Sequence, residues 1–190
     1  MNRRHALRHI ALISGGLALI PSCDFSKEDI LAAYENLKIT ATQKALIASI
    51  SDSIIPAGEI KGALDLAVPD FILVMVNDCF TKENQEKFTA GLEAFPEYAE
   101  KTAGKKFADL STKEKETLLL QGLALTGDEN PEETVLAQVG YFLSSTKRFT
   151  IQGYMVSEYI QTEIIPYSLI PGEYNGAVLI ADIQKTRVNG

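Results

Sequence analysis

Over most of the stretch from Thr42 to Ile160 the apolar residues return every three or four positions, and prolines and glycines cut that rhythm into helix-length pieces. A chain with that period, and without paired runs of alternating residues, has few options besides a helical fold. Leu46, Ile47, Ile50 and Ile54 share one face of a helix over Thr42–Ile55, with Lys44, Ser49, Ser51 and Asp52 opposite. Pro56, Gly58 and Gly62 then mark a loop. Pro69 suits the first turn of a helix over Asp70–Phe80. Its Ile72–Val76 run is apolar all round, but no strand of similar quality lies nearby to pair with it.

Thr81 is expected to cap a helix bearing Phe88, Leu92 and Phe95, which Pro96 should kink or restart. Ser111 and Glu114 make a capping box ahead of Leu118, Leu119, Leu120 and Leu123, with Gly127 as the stop. Asn130, Pro131 and Glu133 open a long last helix through Val135, Val139, Phe142, Phe149, Val156 and Ile160. Its length calls for a bend or break near Ser144-Ser145-Thr146. After Ile165, the residues Pro166, Pro171, Gly172 and Gly176 forbid a continuous helix, so Tyr167–Ile180 should cross the surface as extended chain. The expected fold is all-α, a single compact helical domain with an irregular, extended C-terminal arm.

The first 22 residues have a different character. Arg3, Arg4 and Arg8 precede the apolar run Ile10–Ile20, which is too short to span a bilayer. A basic start, a short apolar stretch and small residues at its end describe an export signal. Cys23, directly after Leu19-Ile20-Pro21-Ser22, resembles a bacterial lipobox cysteine, the site of lipid attachment; the alternative is an ordinary signal with an incidental cysteine. Arg3-Arg4 reads as a twin-arginine signal or as the charge any signal carries. The expected organisation is an export signal over 1–22, a tether or short helix over 23–40, and a helical domain over 41–190.

Composition narrows the chemistry. The 190-residue chain has a formal charge of −7, which becomes −10 without the three leader arginines. A body that acidic repels phosphate backbones, so nucleic acid is not an expected partner. Both histidines, His5 and His9, lie in the leader, which leaves the body no histidine base or metal ligand. Cys79 stands alone there, excluding an internal disulfide and paired-cysteine redox chemistry. No nucleotide-binding, phosphate-loop, metalloprotease or nucleophile-elbow motif is present.

The remaining candidates each have a plain structural account. Glu83, Glu86, Glu93, Glu97 and Glu100, spaced against Lys82, Lys87 and Lys101, read as a solvated, ion-paired face. Cys79 reads as a small buried hydrophobe. Asp65 is the one acid on a constrained loop, either a turn or cap former or a functional group. Tyr154, Tyr159, Tyr167 and Tyr174 serve either the core or a protein interface. No catalytic, cofactor-binding or metal residue is assigned.

The order of several short motifs is distinctive. Ile54-Ile55-Pro56 is followed by Gly62-Ala63-Leu64-Asp65, Val68-Pro69-Asp70-Phe71-Ile72 and Asp78-Cys79-Phe80-Thr81. Late in the chain come Thr150-Ile151-Gln152-Gly153-Tyr154-Met155-Val156-Ser157-Glu158 and Pro171-Gly172-Glu173-Tyr174-Asn175-Gly176. Together, over roughly residues 40–177, they resemble the gluconate 2-dehydrogenase subunit 3 family.

The resemblance implies a non-catalytic accessory subunit of a membrane-associated, FAD-dependent sugar or sugar-acid dehydrogenase. FAD would sit in a large partner of the glucose–methanol–choline type, with a cytochrome c as a further partner. Arg3 and Arg4 would engage the translocon, Cys23 would anchor the complex, and the chain would be exported to the periplasm or cell envelope. Asp65, Gly153, Tyr154, Pro171, Gly172, Tyr174 and Gly176 would be partner contacts. The sequence departs from the family pattern at Gly58-Glu59-Ile60-Lys61 and at Ala177. The rival readings are a stand-alone envelope lipoprotein that binds a ligand or protein, and an enzyme working through carboxylates such as Asp65.

Overall fold

The computed structural model describes residues 31–125 and 135–165, together with 177 and 179. Helix α1 (Ala41–Ile54) begins at Thr40, whose hydroxyl accepts from the Gln43 amide N–H while the Gln43 side chain accepts from the Thr40 N–H. Those reciprocal bonds satisfy two donors that a helix start otherwise leaves open. Ile47 and Ile50 point inward as the spacing predicts. Ser51, expected on the polar face, is instead fully buried. Its hydroxyl donates to the Ile47 carbonyl, which removes most of the cost of burying it.

The loop after Pro56 leads through a 3₁₀ turn (Leu64–Leu66) into helix α2 (Val68–Cys79), with Pro69 in its first turn. The all-round apolar run is therefore helical, with Ile72, Leu73 and Val76 in the core. Gln85 closes the far end of α2 by donating to the carbonyls of Val76 and Asn77 at 3.2 and 2.7 Å. Cys79 is exposed at that end, which corrects the expectation of a buried hydrophobe.

Helix α3 (Lys82–Ala103) is capped by Thr81 and runs without interruption through Pro96. A proline inside a helix forfeits one backbone bond and costs roughly 3 kcal/mol. Here its ring faces solvent while Phe95, Tyr98 and Ala99 on either side are buried, and that packing holds the helix together. Its outer face is the expected ion-paired one, with Lys87–Glu83 at 3.0 Å and Lys101–Glu97 at 2.6 Å. A 3₁₀ turn (Phe107–Asp109) leads to helix α4 (Thr112–Ala124), which opens with the predicted Ser111–Glu114 capping box. Gly127, Asn130, Pro131 and Glu133 lie outside the described residues.

Helix α5 (Val135–Met155) packs against α1, α2, α3 and α4. Phe142 meets Phe88 edge-on at 5.1 Å and Phe95 at 5.9 Å, and Phe95 meets Phe107 at 5.2 Å, joining α5, α3 and the 3₁₀ turn through one aromatic cluster. Such pairs add about 0.5–1.5 kcal/mol each beyond the area they bury. The expected break at Ser144–Thr146 does not occur. Ser145 and Thr146 are buried and α5 stays continuous past them; the helix gives way only after Met155, before a π-type turn at Ile160–Ile164. No strand occurs among the described residues, and the fold is all-α.

Candidate functional site

The loop from Pro56 to Ala67 is held in place by contacts that span the chain. Gly62 is buried with its α-carbon against backbone: a Cβ there would lie 2.4 Å from the Ala57 nitrogen. Only glycine admits that approach. The Gly62 N–H donates at 2.9 Å to the Asp65 carboxylate, so Asp65 closes the turn that presents it, although its side chain lies at the surface. Ala67 then turns the chain into α2 with a left-handed φ of 52°.

Gly153 and Tyr154, near the end of α5, meet this loop and α2. A Cβ on Gly153 would lie 2.5 Å from the Phe71 ring, so the bare glycine is what lets α5 close onto α2 there. Tyr154 is 8% exposed, and its hydroxyl donates to the Lys61 carbonyl at 2.8 Å, joining residues 93 apart in sequence. Burial raises the Tyr154 hydroxyl above the ordinary tyrosine range, with the nearby Tyr159 adding to the shift. The Lys61 ammonium lies 4.6 Å from the Tyr159 ring centre, a cation–π contact across the same seam.

Two further clusters flank this clasp. Asp70, in the first turn of α2, accepts from the Tyr34 hydroxyl at 2.7 Å and pairs with Lys44 of α1. The Lys44 hydrogen bond holds the Asp70 carboxyl below the usual carboxylate range, while burial and then Asp70 push Tyr34 up to about 12. Asn36 adds backbone and side-chain bonds to Asn77, both at 3.2 Å. Segment 31–39 is thus fastened to the α1–α2 face. At the other end of α2, Phe80 meets Phe149 of α5 at 5.5 Å. The Arg148 guanidinium lies 4.5 Å from the Phe149 ring centre and 5.8 Å from that of Phe80.

The structure therefore brings Asp65, Gly153 and Tyr154 to one end of the bundle, where the contacts of Gly153 and Tyr154 are with their own chain. Arg3, Arg4, Cys23, Pro171, Gly172, Tyr174 and Gly176 lie outside the described residues, as does the expected extended arm apart from Ala177 and Leu179. Sequence spacing alone does not reveal the Tyr34–Asp70–Lys44 cluster or the Arg148 stack. Asp70 stood in a motif, but nothing local pointed to a partner 36 residues upstream. Among the described residues no three His, Cys, Asp or Glu side chains converge as a metal site would require, and no helix is long and apolar enough to cross a membrane.

The segments in contact here are the ones whose order is distinctive in the sequence: Gly62–Asp65, Val68–Ile72, Asp78–Thr81 and Thr150–Glu158. Their spacing records a tertiary arrangement: Gly62–Asp65 meets Val68–Ile72, Val68–Ile72 meets Thr150–Glu158, and Phe80 of Asp78–Thr81 meets Phe149, which directly precedes the last segment. No curated protein and no solved structure matches the chain. The family model described as gluconate 2-dehydrogenase subunit 3 matches residues 41–172, from the start of α1 through the clasp and beyond. The chain belongs to the gluconate 2-dehydrogenase subunit 3 family.

Proposed function

We propose that the chain is a non-catalytic small subunit of a membrane-associated, FAD-dependent sugar or sugar-acid dehydrogenase, supporting maturation, export and anchoring of the flavoprotein that carries the chemistry. The observation that carries this reading is the family match over 41–172, which includes every motif segment that meets at the clasp. The chemistry of the chain agrees with it. Its candidate residues make turns, close packing and ion pairs, and Asp65 is engaged by the Gly62 N–H as a turn former. The partner would be a large subunit of the glucose–methanol–choline type holding FAD, with a cytochrome c taking the electrons. Pro171, Gly172, Tyr174 and Gly176 would contact the large subunit directly, and Asp65 would present the clasp loop to it. Gly153 and Tyr154 would set the shape of that surface from beneath.

In this reading Arg3 and Arg4 address the chain to the twin-arginine route and Cys23 carries the lipid. One acyl chain binds membranes only marginally, but several on one cysteine give a stable anchor. The test is a mild-detergent purification of the tagged chain from its native host, reading flavin absorbance and the co-eluting chains. A yellow eluate with a large flavoprotein in near-equal amount is expected, and Arg3→Lys with Arg4→Lys should leave both proteins in the cytoplasm. A colourless, solitary chain would favour the stand-alone lipoprotein. Normal export of the double variant would assign the general secretion route.

A further inference from the structure

Arg148 is the one arginine between the leader and Arg187, and every other cation in that stretch is a lysine. It is exposed on α5, and its guanidinium rests on the Phe149 and Phe80 rings. No carboxylate pairs with it among the described residues, although the lysines of α1 and α3 find acids within the chain. Stacking on rings fixes the plane of a guanidinium while leaving its N–H edge free to donate. Such an edge matches a carboxylate with two parallel hydrogen bonds. Ile151 and Met155 follow at i+3 and i+7, 44% and 41% exposed, so two apolar side chains lie beside the stacked cation on an outward face that also carries Ser144, Lys147 and Gln152.

The geometry points to Arg148 as the anchor of a docking face for an acidic side chain on a partner protein, with Ile151 and Met155 packing beside the ion pair. Charge selects this occupant. Arg148 is the one guanidinium among the ring-stacked cations of the described residues, it has no acid of its own, and arginine and aromatic side chains are both enriched at protein interfaces. An anionic membrane would be repelled by the −10 body around the stripe. This inference rests on the subunit reading above and names where the flavoprotein docks.

The test compares flavin recovered per mole of tagged full-length chain from detergent-solubilised cells of the native host. Arg148→Glu should lower recovery by at least about tenfold, an acid facing an acid. Arg148→Lys should keep part of it, because the charge remains and the planar stack does not. Unchanged circular dichroism of both variants separates lost docking from lost folding, and Met155→Ser, which carries no charge change, should give an intermediate loss. Equal flavin with wild type and Arg148→Glu would overturn the anchor and leave the subunit reading standing. A wild-type chain that brings down no flavoprotein would overturn both. Wild-type dimerisation in sedimentation that Arg148→Glu abolishes would overturn a flavoprotein occupant in favour of a second copy. Flotation of wild type, but not of Arg148→Glu, with phosphatidylglycerol vesicles would overturn it in favour of a lipid surface.

Discussion

At the scale of single residues, the clasp depends on an atom that is missing. Gly153→Ala would drive a methyl group to 2.5 Å from the Phe71 ring. We expect a loss of about 1–3 kcal/mol in urea unfolding, outweighing the gain in helix propensity of up to about 1 kcal/mol. Combining it with Phe71→Leu should recover part of that loss, and strict additivity in the double-mutant cycle would show that the ring is not the obstacle. The sequence marks Gly153 and Tyr154 as members of a motif, but their work is done against residues far along the chain, and no local pattern encodes that. Ser51 and Cys79 show the same limit from the other side. Helical period assigns a face, yet which face is covered depends on the helices that come to lie on it. Hence a serine is buried and a cysteine is left at the surface.

At the scale of elements, helix starts were the most legible feature. Thr81 and the Ser111–Glu114 box act through side chains on their own first turns, so a window of four residues contains the whole interaction. Ser111→Ala should cost about 1 kcal/mol. It should also return the Glu114 carboxyl from about 2 toward the ordinary range, because hydrogen bonds from Ser111 are the main cause of its depression. Carbon-13 chemical shifts of the Glu114 carboxyl across an acid titration read that change; an unmoved midpoint would assign the depression to the backbone N–H of residue 111 and to Lys105 instead. Helix interruptions were the least legible. Pro96 and Ser144–Thr146 both carry breaker chemistry, and in both places tertiary burial of neighbouring side chains keeps the helix whole.

At the scale of the whole molecule, segment 31–39 is bound to the bundle by groups whose protonation sets when it stays. Asp70 has a depressed pKa, so its contribution is present above the ordinary carboxylate range and is lost as pH falls through its folded value. Tyr34 is raised to about 12 from 10.0, so its contribution is intact below 10.0 and is lost as pH rises toward about 12. The urea midpoint should therefore decline over that alkaline window, and Tyr34→Phe should flatten the decline. An identical slope in the variant would mean that other groups set it.

The central position of α5 also governs timing. Synthesis runs from the amino end, and the helix that every other described helix leans on is the last of them to be made. Until it emerges, α1 to α4 have no common surface to close upon, while residues 1–22 have been free of the ribosome since the beginning. A translocase that threads unfolded chain has that whole interval in which to engage. Under the proposed export role, one that accepts only finished folds must wait until residue 155 has left the ribosome.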